Sequence, residues 1–262
     1  MGPPSGRAAP DSWEEVLRRI KAEREAGPRA PVDEAGCEVL ADPTADAKAR
    51  RFHVLVALFL SSQTKDAVTA AAVKALQRHG LTPERLHCHT TEEEIDAMIA
   101  KVGFHRTKAK RLKEVARLCL ERHGGDIPAS PEELMALPGV GPKMAFLAMN
   151  VAWGQPAGIG VDTHVHRIAN RLGWAATRTP EATRKALEAW LPVEEWIGVN
   201  PTLVGFGQLR CLPQAPKCRG CPVGELCPTG RGDLPLVPKS PASSSPAGKG
   251  PKKAKKRKAE PR

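Results

Sequence analysis

A lysine and an aspartate, each placed at the start of a helix, and four closely spaced cysteines are the residues of this 262-residue chain best suited to chemistry. The lysine is Lys143, in the stretch LPGVGPKMAFLAMN. Pro138-Gly139-Val140-Gly141 reads as a turn, and Pro142 falls at the first position of a helix, where proline is tolerated. With the short helix that ends near Leu137, the pattern predicts a helix-hairpin-helix. Its G-V-G turn presents backbone N–H groups with no side chain in the way, beside a helix N-terminus whose dipole attracts anions, so it can grip a phosphate backbone without reading sequence. Lys143 lies in the first helical turn, where the dipole disfavours an ammonium ion; dipole and burial together are expected to favour a free, nucleophilic amine. Taken alone, such a turn is equally an ordinary left-handed turn with a solvated lysine beside it.

The aspartate is Asp162. Gly154 to Gly160 holds Pro156 and Gly158 and reads as a loop, after which VDTHVHR opens a helix with apolar positions at Val165, Ile168, Ala169 and Leu172. Asp162 takes the N-cap, a place aspartate favours for structural reasons alone. A lysine and an aspartate each at a helix N-terminus, next to a phosphate-gripping hairpin, make a more demanding coincidence.

Cys211, Cys218, Cys221 and Cys227 follow a C-x6-C-x2-C-x5-C spacing in a loop laced with Pro213, Pro216, Pro222 and Pro228. The odd total of seven cysteines and the lack of a secretory signal argue against a disulfide framework, so the four thiols read as ligands converging on a metal centre. Structural zinc sites with four cysteines are common, which tips the residues slightly toward zinc; they usually come as two close pairs, and one close pair with two outliers suits the corners of an iron–sulfur cube as well as a tetrahedron. Lys217 and Arg219 flank Cys218 and suit phosphate contacts, or equally a solvated pair of charges. Cys37, Cys88 and Cys119 are isolated and read as small buried apolar residues.

The elements that must position these groups are helices. Residues 13–26 form a charged helix; residues 46–63 carry Phe52, Leu55, Val56, Phe59 and Leu60 at helical spacing and mark a buried one. Further helices are expected over 67–79, 92–101, 107–123, 144–153, 180–191 and about 194–209, with Leu112, Val115, Ala116 and Cys119 on one face of the fifth in chain order. Ser130-Pro131-Glu132-Glu133 opens another with a cap, a first-position proline and a capping-box glutamate. No segment alternates as a strand does, so the class is all-α.

LPGVGPK, VDTHVHRIANRL, LVGFGQ and the cysteine spacing together resemble the helix-hairpin-helix/Gly-Pro-Asp superfamily of DNA glycosylases, in its endonuclease III branch of eukaryotic type, over roughly residues 35 to 230. The resemblance implies two helical domains with a DNA groove between them: a six-helix barrel over 46–156, and an iron–sulfur cluster domain from 11–45 plus 157–230. It implies that Lys143 is the nucleophile, Asp162 the essential carboxylate, and the four cysteines the ligands of a [4Fe–4S] cluster with no part in bond breaking. The reaction implied is bifunctional, N-glycosylase and AP lyase, on oxidised pyrimidines such as thymine glycol or on abasic sites in double-stranded DNA, by a monomer. Gly139, Val140, Gly141 and His164 would contact DNA, Gln63 would enter the space left by the extruded nucleotide, and Phe104 would wedge the base stack. The adenine-mismatch branch lacks a lysine at the position of Lys143 and carries a further C-terminal recognition domain. A non-catalytic hairpin module would require neither Lys143 nor Asp162.

The net charge of +11 comes mostly from residues 231–262, so the folded part is only mildly basic and the hairpin is the better evidence for nucleic acid. The longest apolar run, Val54 to Leu60, falls far short of a membrane span. Residues 1–10 and 231–262 are expected to be disordered. The Lys252–Lys258 run in PKKAKKRKAEPR suits nuclear import or DNA tethering, and the resemblance adds the mitochondrion as an alternative compartment.

Overall fold

The computed structural model describes residues 8–235; residues 1–7 and 236–262, including the basic run Lys252–Lys258, lie outside the described residues. All regular structure among the described residues is helical, in the order α1 (Trp13–Ala26), α2 (Pro31–Ala35), α3 (Ala47–Ser61), α4 (Asp66–His79), α5 (Pro83–Cys88), α6 (Glu92–Met98), α7 (His105–His123), α8 (Pro131–Met135), α9 (Pro142–Ala152), α10 (Thr163–Arg171), α11 (Pro180–Glu188), α12 (Trp196–Leu209) and α13 (Pro228–Arg231). A 3₁₀ turn, Val193–Glu195, precedes α12.

The helices close over two separate hydrophobic cores. The first is centred on α3, which is buried continuously from Phe52 to Leu60 and therefore packs on all sides, as a helix apolar all round must. Around it lie Val73 and Leu76 of α4, Leu112, Val115 and Cys119 of α7, and Ala145, Ala148 and Met149 of α9. The second core gathers Val16, Leu17 and Ile20 of α1, Val165 and Ile168 of α10, Leu187 of α11, and Val199, Leu203 and Phe206 of α12 around Trp174 and Trp190. Starts are set by local chemistry: Asp46 Oδ1 accepts from the N–H groups of Lys48 and Ala49, and Thr179 and Ser130 cap α11 and α8. Gly124, at φ 59°, ends α7 in the left-handed conformation that glycine adopts without a steric penalty.

Several expectations change. Three short helices, α2, α5 and α13, each open on a proline in segments too brief for a periodic signal. The N-terminal segment divides between the cores, with Val16 to Ile20 and Val32 on the second but Leu40 on the first. Helix α13 and its hydrogen bonds run past residue 230 to Leu234. Cys119 is buried, but Cys88 is exposed at the end of α5 and is no core residue.

Candidate active site

A cleft of roughly 570 Å³ runs between the cores. One wall comes from the first core and carries Gln63, Lys143 and Leu147; the other carries Asp162, Thr163, His164, Asn200 and Gln208. The hairpin builds the first wall. Gly139 has φ 89°, and a Cβ there would stand 2.9 Å from the Phe59 ring and 3.1 Å from Arg111 Cδ, so only glycine lets the turn lie this close to α3 and α7. Val140 turns its side chain into the core and donates its N–H to Leu137 O, 3.1 Å away, which closes the hairpin. The N–H groups of Gly139 and Gly141 donate to no acceptor among the described residues, and Gly141 N-caps α9 with open space around its Cα. Those two glycines are thus the donors left for an anion.

Lys143 is the second residue of α9, and its Nζ has no hydrogen-bond or ion-pair partner among the described residues. It is exposed within the cleft, so the expected burial of its amine is not found in the protein alone. The helix start leaves it no cover; that cover has to come from whatever fills the cleft.

Asp162 caps α10: its Oδ1 accepts from both His164 and Val165 N–H groups at 2.8 Å. Its Oδ2 accepts no bond among the described residues and remains available to the cleft. Asn200 of α12 donates to Gly160 O and fixes the chain just before Asp162. His164 is half-buried, its Nδ1 3.2 Å from Arg167 Nη2; burial pushes its pKa down, so it sits in the cleft as a neutral ring at pH 7.

The other end of α10 grips the cysteine loop. Arg171, 2% exposed, donates to Leu212 O at 2.7 Å, Pro213 O at 3.0 Å and Cys211 Sγ at 3.3 Å, and Arg167 donates to Cys211 O at 2.9 Å. Cys211, Cys218, Cys221 and Cys227, all unpaired, line one pocket with Arg171 at its edge. Among the described residues no three or more Cys, His, Asp or Glu are gathered tightly enough for one metal ion. Four thiols on one pocket beside a buried guanidinium whose Nε is unpartnered suit an anionic group held by thiolates. Lys217 and Arg219 are exposed on this loop, away from Lys143.

Gln63 and Phe104 occupy adjacent turns and share an uncommon backbone: φ is 53° and 59°, left-handed values that cost a non-glycine residue about 1–2 kcal/mol. Gln63 is exposed and Phe104 is 65% exposed, packing on nothing that would repay that strain. Missed in the sequence is Lys108, four residues before Leu112 and so on the buried stripe of α7; a lysine at a core position was the available signal. It is 6% exposed and donates to Leu60 O at 2.8 Å and Ser62 O at 2.6 Å.

The family model that describes an "HhH-GPD superfamily base excision DNA repair protein" matches residues 56–193, which span α3 to the turn before α12. The chain belongs to this superfamily. Among relatives, endonuclease III-like protein 1 of Bos taurus is 53% identical over 225 residues, covering 85% of this chain and 73% of that one. The Mus musculus protein of the same name is 52% identical over 221 residues, covering 84% and 73%. A solved endonuclease III trapped as a covalent intermediate with DNA superposes with TM-score 0.70 at 29% identity, over 84% of this chain and 97% of that one. Within the superfamily the chain is therefore of the endonuclease III type, a DNA glycosylase and AP lyase of base excision repair, and its all-helical fold is the one expected.

Proposed function

We propose that the chain excises oxidised pyrimidines from double-stranded DNA and then cleaves the strand, with Lys143 as nucleophile and Asp162 as the carboxylate that assists it. The observation that carries this reading is one of placement: an unpartnered amine and a half-free carboxylate, each at the start of a helix and each from a different core, line the same cleft. Gly139 and Gly141 hold a phosphate beside them, and the solved relative was trapped as a covalent intermediate with DNA.

The Lys143 amine attacks C1′ of the extruded nucleotide, and the base leaves with the electrons of its glycosidic bond and takes up a proton. Asp162 Oδ2 stabilises positive charge developing on the sugar or accepts the proton the amine loses. The C1′–O4′ bond of the resulting aminal then breaks, O4′ taking up a proton, and the open-chain Schiff base so formed acidifies the C2′ proton; its removal expels the 3′ phosphate by β-elimination, and water releases the sugar remnant from the lysine. Gln63 and Phe104 act before this, taking the place of the extruded nucleotide and propping the stack, and a damaged base that pairs poorly costs less to extrude. Cys211, Cys218, Cys221 and Cys227 hold a [4Fe–4S] cluster that shapes the loop carrying Lys217 and Arg219 and the end of α10; no bond-breaking step passes through it. The chain acts as a monomer, in the nucleus by virtue of the Lys252–Lys258 run.

The test is borohydride trapping on a duplex with one thymine glycol. The wild-type chain should give a covalent complex and a nicked strand. Lys143→Ala should give neither, yet still bind the lesion and keep its stability to within about 0.5 kcal/mol, since the side chain is exposed and unpartnered. A trapped adduct at the wild-type rate in Lys143→Ala would assign the chemistry to another amine.

A further inference from the structure

The turns bearing Gln63 and Phe104 are joined at their base. Gly103 N–H donates to Thr64 Oγ1 at 3.1 Å, Thr64 Oγ1 donates to Ser62 O at 3.2 Å, and a Cβ on Gly103 would stand 2.5 Å from Gln63 O. Lys108 reaches into this seam from the first turn of α7, its Nζ bonded to Leu60 O and Ser62 O and 3.5 Å from Thr64 Oγ1. Those carbonyls lie at the C-terminal end of α3, where Ser61 Oγ, Ser62 Oγ and Thr64 N–H take the carbonyls of Leu58, Phe59 and Ser61 and leave these two to Lys108, and where a cation offsets the negative end of the helix dipole. Burial alone pushes the ammonium of Lys108 down to about 8, while the carbonyls it donates to favour keeping its proton. A buried charge is an expensive way to cap a helix, and an apolar residue on this stripe would pack more cheaply. What the charge secures is a fixed spacing between two strained turns whose side chains both point to solvent.

We propose that Lys108 is a positioning residue for base extrusion, tying the Gln63 turn to the Phe104 turn so that both side chains enter the duplex in one arrangement. This rests on the reading of Gln63 and Phe104 as the inserting pair. Lys108 touches neither DNA nor the reacting atoms; it sets the geometry of the residues that do.

The test uses the cluster-loaded enzyme and single-turnover base release from thymine glycol, either in a matched duplex or in a bulge where the nucleotide is already unstacked. Lys108→Met, of similar length but without donors, should be about tenfold slower on the matched duplex and within about twofold of wild type on the bulge. Thr64→Val, which cuts the same seam without removing a charge, should show the same split with a smaller loss, and serves if Lys108→Met does not fold. In a Gln63→Ala, Phe104→Ala background, Lys108→Met should add less than about twofold, because nothing is left to position. Equal losses on both substrates for the Gln63 and Phe104 variants would sink the inserting-pair reading. If those variants discriminate while Lys108→Met and Thr64→Val do not, the inserting pair stands and the brace is overturned.

Discussion

The two walls of the cleft hold their chemical groups in opposite ways. Lys143 stands free: the hairpin and α9 are fixed by Val140, Ala145 and Ala148 in a core built around a helix buried on every side, and the lysine contributes nothing to that packing. Asp162 is joined to its wall. Its Oδ1 caps α10, and nine residues later Arg171 at the other end of the same helix holds the cysteine loop through three acceptors. That loop buries little of its own; Val223 is its one fully buried apolar residue. Both walls rest on apolar cores, but the second is joined in addition, through two arginines of α10, to a cysteine loop that buries little of its own. Lys143 can be altered without cost to the fold because it takes no part in its wall's packing, while Asp162 inherits the stability of whatever holds α10.

The largest expected effect follows from this dependence. Trp13, Trp174, Trp190 and Trp196 belong to the second core, with Trp190 5.5 Å from Trp13 and 5.7 Å from Trp174, while Trp153 alone packs on the first. With the proposed cluster bound, stripping its iron should shift tryptophan emission to the red and abolish base release, with most helical circular dichroism retained. Simultaneous loss of both signals would mean the cores unfold as one unit and would remove the contrast.

The next effect separates the two duties of Asp162. Asn caps a helix about as well as Asp, so Asp162→Asn should keep its melting temperature while losing most base release, retaining some trapping on a preformed abasic site. Asp162→Ala should lose base release and in addition about 1 kcal/mol of stability, read by urea denaturation. Equal stability in the two variants would show that the cap carries no weight and that Asp162 is as free as Lys143.

How far the sequence foretells this molecule follows the same division. The α3 stripe, the GVG turn with its first-position proline and the Asp162 cap are local signals, carried by residues within a few positions of each other, and each stands where its pattern puts it. Lys143's exposure, Val140's inward turn and the Lys108 brace depend on which surfaces meet, and no local pattern encodes that. Arg171 shows the limit well: an arginine ending an amphipathic helix reads as a solvated C-terminal charge, yet it is buried against a loop forty residues on. Phe104 is the reverse case, an aromatic in a turn that ordinarily packs inward and here does not.

A substitution at Gly139 probes the self-sufficient wall. Alanine there must hold φ near 89° with its Cβ 2.9 Å from the Phe59 ring, a combination expected to cost about 1–3 kcal/mol. Because the core behind the hairpin is large, the protein should stay folded and lose DNA affinity more than stability, as measured by lesion binding against denaturant midpoint. A collapse of the whole fold would show that this wall, too, hangs on a single contact.

The smallest effect concerns the cysteine loop's surface. Lys217 and Arg219 are exposed and make no side-chain bonds among the described residues, so their replacement by alanine leaves the fold alone, and each can contribute through phosphate attraction only. Neutralising one phosphate contact lowers the slope of log affinity against log salt by about one, uniformly across sequences. Lys217→Ala and Arg219→Ala should each flatten the salt dependence of binding by about that amount, with the bound complex turning over at the wild-type rate. If the slope is unchanged, these charges are merely solvated, and the thiol-held loop serves DNA only through α10, by keeping Asp162 at the cleft. If turnover falls as well, the loop's charge reaches the reacting nucleotide, and the second wall takes part in positioning the lesion as directly as the first.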